Sequence, residues 1–230
     1  MAKRTKSNNN PAQAMREAAR YLMNTYKRPP IVFTHGKGCY LFDQRGRKYL
    51  DMLGGIAVNA LGHAHPRLVR VIRREAARAI HTSNLFHNPW QGPLAKKLVA
   101  WSRMERIFLT NSGTEAIEGA LKLARLHARN TAGEGKTRIL ALENSFHGRT
   151  YGALSITATA KYREPFAPLL PGVEFVKFND VADLEAKFDA TVGALVVETI
   201  QGEGGIYSVS EAFWQRASQL ATLHGAALIA

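Results

Sequence analysis

Three short stretches of this 230-residue chain gather polar, aromatic and glycine residues in patterns that can do chemistry. The first is Asn111-Ser112-Gly113-Thr114-Glu115-Ala116. If a helix starts there, its unpaired amides and its dipole form an anion site of the size of a phosphate. Gly113 lets the backbone approach a ligand, and Ser112 and Thr114 add hydroxyl donors. An alternative reading gives these residues no ligand: Ser112 or Thr114 caps the helix and Glu115 stands in its first turn. The second stretch runs from Glu143 to Thr150 and places Phe146, His147, Gly148 and Arg149 in a row. An aromatic face can stack on a planar ring, and an arginine fork can hold a carboxylate by two parallel hydrogen bonds. Taken singly, Phe146 reads better as a core residue and Arg149 as a surface one. The third stretch, Glu198 to Gly205, begins with a carboxylate directly behind an apolar run. Such a group can pair with an arginine or tune a proton transfer; it can also simply cap a neighbouring amide.

Each stretch follows an apolar run of strand length, which is what would position it. The pattern predicts strands over 107–110, 138–142, 174–178, 194–197 and 226–230, alternating with helices over 93–102, 115–129, 181–188 and 211–224. Alternation of this kind gives an α/β fold, a mostly parallel sheet flanked by helices. Ligands of such sheets sit beyond the carboxyl ends of the strands, where the three stretches fall. Before residue 91 the pattern is less regular. A helix over 14–26 is ended by Pro29 and Pro30. Short strands follow over 31–34, 39–43 and 48–51, then a helix over 66–80. The expected organisation is a flexible basic tail over 1–13, the N-terminal segment of a small α+β domain with its linker over 14–90, and the first part of a large domain over 91–230.

Net charge is +13, but the 31 lysines and arginines are scattered through helical stretches rather than gathered in a basic-aromatic strip, which argues against a nucleic-acid partner. One cysteine, Cys39, leaves no internal disulfide and fits a reducing compartment. No apolar run has the length of a membrane span, and Lys3, Arg4 and Lys6 are not followed by the apolar segment of a secretory signal, so the expected location is the cytoplasm. Two motifs are set aside. Asn130 to Thr137 ends like a nucleotide-binding P-loop, but Asn130 replaces its first glycine, and the segment joins a helix to a strand, the reverse of the required order. His63-Ala64-His65 has no third metal ligand at credible spacing, and Pro66 starts a helix at once.

Taken together, the words Gly55-Ile56-Ala57-Val58-Asn59-Ala60-Leu61-Gly62-His63, Asn111 to Ala116, Ser145 to Thr150, and Glu198 with Gln201 to Gly205 resemble the class-III aminotransferases, from about Tyr26 to Ala230. The resemblance implies pyridoxal 5′-phosphate as cofactor, a large domain like that of aspartate aminotransferase, and a homodimer with no metal. It implies that Ser112, Gly113 and Thr114 bind the cofactor phosphate, and that Phe146 stacks on its ring with His147 alongside. It further implies that Arg149 receives the substrate carboxylate, that Glu198 is a gate releasing an arginine for glutamate, and that Tyr26 lies in the substrate pocket. Gly55-Ile56-Ala57-Val58 is most similar to the branch whose amino donor is N-acetylornithine and whose acceptor is 2-oxoglutarate, in arginine biosynthesis; the ornithine branch typically carries an aromatic where Ile56 stands. Related donors are succinyldiaminopimelate, succinylornithine and 4-aminobutyrate. Ile117 and Thr199 depart from the family's usual Asn and Pro, and both bear on local shape. The resemblance also places the cofactor-holding lysine beyond Ala230, and Lys136, Lys161, Lys177 and Lys187 do not match its motif; this span alone is expected to be inactive. A non-catalytic relative serving as an interaction surface is the alternative.

Overall fold

The computed structural model describes residues 10–230, so most of the expected N-terminal tail lies outside the described residues. The chain divides into two compact units, one ending at Pro93 and one beginning at Leu94.

The first unit opens with α1 (Pro11–Tyr21). The Asn10 side chain accepts from the amides of Ala12 and Gln13, and Pro11 sits in the first turn, where a missing amide costs nothing. These signals start the helix three residues before the expected position, inside the expected tail. The helix ends at Tyr21 rather than running to residue 26. Strands β1 (Phe33–Lys37), β2 (Tyr40–Asp43) and β3 (Lys48–Leu50) form an antiparallel sheet in that order. The buried Asp43 carboxylate closes the β2–β3 turn by accepting from the amides of Arg45 and Arg47 and from Arg47 Nε at 2.6 Å. A single irregular turn, α2 (Gly54–Ala57), carries positive φ at Gly55 and Ile56. Helix α3 (Pro66–Ala76) follows, four residues shorter than its apolar spacing suggests. Its Leu68, Val71 and Ile72 stay exposed, and among the described residues Asp43 is the one fully buried side chain of this unit.

Helix α4 (Gln91–Trp101) carries the chain across the division. The second unit is built on a four-stranded parallel sheet. Its elements are α5 (Gly113–Ala132), β4 (Arg138–Leu142), α6 (Tyr151–Ser155), α7 (Ala160–Arg163), β5 (Val173–Val176), α8 (Val181–Lys187), β6 (Val192–Val196), the hairpin β7 (Ile200–Gln201) and β8 (Tyr207–Ser208), α9 (Glu211–His224) and β9 (Ala227–Ile229). The sheet order is β5-β4-β6-β9. Alternate residues of the central strands enter different cores, because successive side chains of a strand point to opposite faces. Leu140, Leu142, Leu195 and Val197 pack with Leu184, Phe213, Ala217 and Leu220 from α8 and α9. Ile139, Ala141, Ala194 and Val196 pack with Leu121 and Ala124 from α5. Both faces are covered, so β6 is buried along its whole length.

One expected strand is absent. Residues 107–110 have the apolar composition of a strand but pair with no neighbour among the described residues, and Phe108 is 78% exposed. A strand is defined by its ladder hydrogen bonds, which composition alone does not supply. The remaining strands and long helices of this unit lie within a few residues of their expected positions, and β4 and α9 match to the residue.

Candidate active site

The chain leaves β4, forms β5 on one side of it, then returns to form β6 on the other. The strand order therefore reverses between the carboxyl ends of β4 and β6, the position at which ligands of such sheets bind. The loops after β4 and β6 meet at this point. Glu198, two residues beyond β6, accepts from the amide of Phe146 at 3.0 Å. Gln201, fully buried, donates its Nε2 to the carbonyl of Glu143 at 2.8 Å. Because α5 leads directly into β4, its N-terminus is delivered to the same end of the sheet.

At that N-terminus, Ser112 is the cap: its hydroxyl accepts from Glu115 N at 3.3 Å, and its carbonyl takes the amide of Ala116. Glu115 reaches back to the amide of Asn111 at 2.7 Å. The capping reading of this motif is thus correct, and it does not compete with anion binding. Among the described residues the amides of Gly113 and Thr114 remain for a ligand, and a Cβ placed on Gly113 would meet nothing within 4 Å. The front of the helix is open, as a phosphate cradle requires.

The loop after β4 is tied down at nearly every residue. Asn144 adopts a left-handed conformation, with φ of 60°, that its short polar side chain tolerates. The buried Ser145 hydroxyl donates to the Ile156 carbonyl at 3.0 Å, and the His147 amide donates to the Thr157 hydroxyl at 3.0 Å. Phe146 is half-buried beside this anchored backbone. His147 is buried, its Nε2 has no hydrogen-bond partner among the described residues, and burial pushes the imidazole down to about 4. An orphaned imidazole nitrogen next to a half-buried ring suits a site shaped for a polar, planar ligand. Arg149 is exposed, with its guanidinium carbon 5.5 Å from the centroid of the Tyr162 ring.

Burial raises the pKa of Glu198 above the ordinary carboxylate range, the amides of Phe146 and Gly202 oppose that shift, and the charge of Glu203 adds to it. Ser112, Gly113, Thr114, Phe146, His147, Arg149 and Glu198 thus lie at one end of one sheet. Tyr26 belongs to the other unit, where it is exposed beside Arg28.

Residue type alone did not reveal Thr157 and Glu118 as parts of this assembly, and it gave Gln201 a place in a motif but no partner. Their partners lie 10 to 58 positions away. The residues set aside have structural partners. Lys136 Nζ donates to the carbonyl of His224 at the end of α9, where a cation is favoured. His63 Nε2 lies 2.7 Å from Asp51. A wide apolar recess lined by Phe108, Leu123 and Leu126 follows a different stripe of α5 from the one bearing Thr114 and Glu118.

A family model described as aminotransferase class-III matches residues 21–230. The chain is 45% identical over 201 residues to the acetylornithine aminotransferase of Aquifex aeolicus, covering 87% of this chain and 53% of that protein. It is 43% identical over 209 residues to the acetylornithine aminotransferase of Clostridium acetobutylicum, with 91% and 54% covered. Among solved structures it superposes on an ornithine aminotransferase from Toxoplasma gondii with a TM-score of 0.89 at 31% identity, covering 96% of this chain and 52% of that one. An acetylornithine aminotransferase from Elizabethkingia anophelis gives 0.79 at 31% identity, with 95% and 54% covered. The chain spans about half the length of the relatives it matches.

Proposed function

This chain belongs to the aminotransferase class-III family, and on that premise we propose that it contributes the cofactor cradle of an enzyme passing the amino group of N-acetylornithine to 2-oxoglutarate. The observation that carries the proposal is the meeting of the β4 and β6 loops at the sheet's switch point, in front of the open N-terminus of α5. Pyridoxal 5′-phosphate fits what is there: open amides for its phosphate, a half-buried phenyl ring for its pyridine, and an imidazole nitrogen lacking a partner. When bound, the cofactor supplies the electron sink for transamination.

The residues of this chain bind and orient. The amides of Gly113 and Thr114, with the Ser112 hydroxyl, hold the phosphate; Phe146 packs on the ring and His147 stays neutral beside it. Arg149 takes the carboxylate of the substrate in a two-point contact. Glu198, half-buried and reluctant to ionise, switches between an arginine partner and none as substrates alternate. The names of acetylornithine aminotransferases among the relatives support that donor over the ornithine, succinylated and 4-aminobutyrate alternatives, and a reaction in arginine biosynthesis belongs to the same proposal. A homodimer in the cytoplasm completes the reading. Replacing Arg149 by Lys tests it, because lysine keeps the charge and loses the fork. KM for the amino donor should rise about 10- to 100-fold, the cost of a charged hydrogen bond, with kcat changed far less. An unchanged KM would remove Arg149 from the site.

A further inference from the structure

Thr114 and Glu118 stand four residues apart on one face of α5, and two glycines four residues apart, Gly148 and Gly152, lie against them. A Cβ on Gly148 would run into the Thr114 hydroxyl, and one on Gly152 into the Glu118 carboxylate. Helix α5 therefore touches the loop after β4 at Gly148 and the start of α6 at Gly152, with no room for a side chain at either glycine.

Glu118 Oε1 collects three donors where that loop enters α6: the amides of Gly152 at 2.8 Å and Ala153 at 3.2 Å in the first turn of α6, and the hydroxyl of Thr150 at 2.5 Å at the loop's end. Thr150 Oγ1 in turn lies 2.7 Å from Thr114 Oγ1. A carboxylate only accepts, so the Thr150 hydroxyl must donate to Glu118. Its single hydrogen is then used, and Thr114 must be the donor in the bond between the two threonines. The Thr114 hydrogen points along the chain toward Glu118, and Thr114 meets an anion at the helix front through its amide.

We infer that Glu118 is a positioning residue: it clamps the loop bearing Phe146 and Arg149 onto the helix that starts with Gly113, and so sets the distance between the ring-holding and phosphate-holding halves of the cradle. The inference rests on the cofactor reading above. Other anchors at Ser145, Phe146 and His147 hold the first half of the loop; at its far end Glu118 ties Thr150 and the start of α6 to α5, with Thr114 bound to Thr150 beside it.

The test uses the protein expressed from its complete coding sequence, with equilibrium dialysis of pyridoxal 5′-phosphate and, separately, of inorganic phosphate. Glu118→Ala should weaken pyridoxal 5′-phosphate binding about tenfold or more and leave inorganic phosphate within about twofold, since the α5 amides are untouched. Glu118→Gln keeps an oxygen for all three donors and should restore cofactor affinity to within about threefold of the original. A merely structural role would lower both affinities together with the melting temperature. That result, or an unchanged cofactor affinity in Glu118→Ala, overturns the inference. If the unaltered protein binds neither probe, the cofactor reading itself fails and the inference falls with it.

Discussion

His147 is 9% exposed, and burial alone holds its imidazole at about 4 against 6.5 for a free side chain. The unfolded chain takes up this proton near 6.5 and the folded chain only near 4, so between those values the unfolded state binds more protons. The contribution is complete above pH 6.5 and is lost as pH falls toward 4, by an amount of order 3 kcal/mol. Glu198 acts in the opposite sense: its raised pKa favours the folded state below the ordinary carboxylate value and fades as pH rises through the folded one. Urea unfolding at pH 7 and pH 5 should show a loss of stability on acidification that His147→Asn largely abolishes. Equal losses in both proteins would show that His147 is not the source. Gly152→Ala pushes a methyl group into the Glu118 carboxylate and should cost about 1–3 kcal/mol by the same measurement, whereas a change below about 0.5 kcal/mol would show that the loop gives way there. At this scale Phe146, Arg149 and Glu198 were legible from distinctive side chains in loops behind apolar strands, and Ser112 from its place at a helix start. Glu118 was not legible, because a glutamate inside a helix looks the same whether it faces water or an amide 34 positions later.

β6 is enclosed on both faces, with Leu195 in one core and Ala194 and Val196 in the other. Leu195→Ala opens a cavity at the centre of the sheet and should cost about 2–5 kcal/mol in chemical denaturation. A loss under about 1 kcal/mol would mean that the sheet collapses around the gap. Elements of this kind were legible because both signals that define them are local. β4 is apolar from Ile139 to Leu142, and α9 lies between a capping Ser210 and a left-handed Gly225. The short pieces were not. α6, α7 and the β7–β8 hairpin are too brief to show a period, and residues 107–110 show that a strand also needs a neighbour. Helix α1 was misplaced for a different reason: Asn10 and Pro11 are a start signal, but they were counted with the polar tail before them.

For the molecule as a whole, the excess of 13 positive charges suits anionic ligands, and among the described residues no helix is long and apolar enough to cross a membrane. The α/β class could be read from alternation alone, whereas the switch point needed the strand order β5-β4-β6-β9, and the family followed from four motifs in order. The amino donor was not fixed by either, because it depends on pocket residues that this span does not by itself define. Steady-state transamination is therefore the decisive measurement, with N-acetylornithine, ornithine, succinylornithine, succinyldiaminopimelate and 4-aminobutyrate compared as donors to 2-oxoglutarate. The predicted result is glutamate formation that requires pyridoxal 5′-phosphate, with the highest kcat/KM for N-acetylornithine. Absence of transamination from every donor by the complete protein would contradict it, as would a clear preference for a donor outside the N-acetylornithine class.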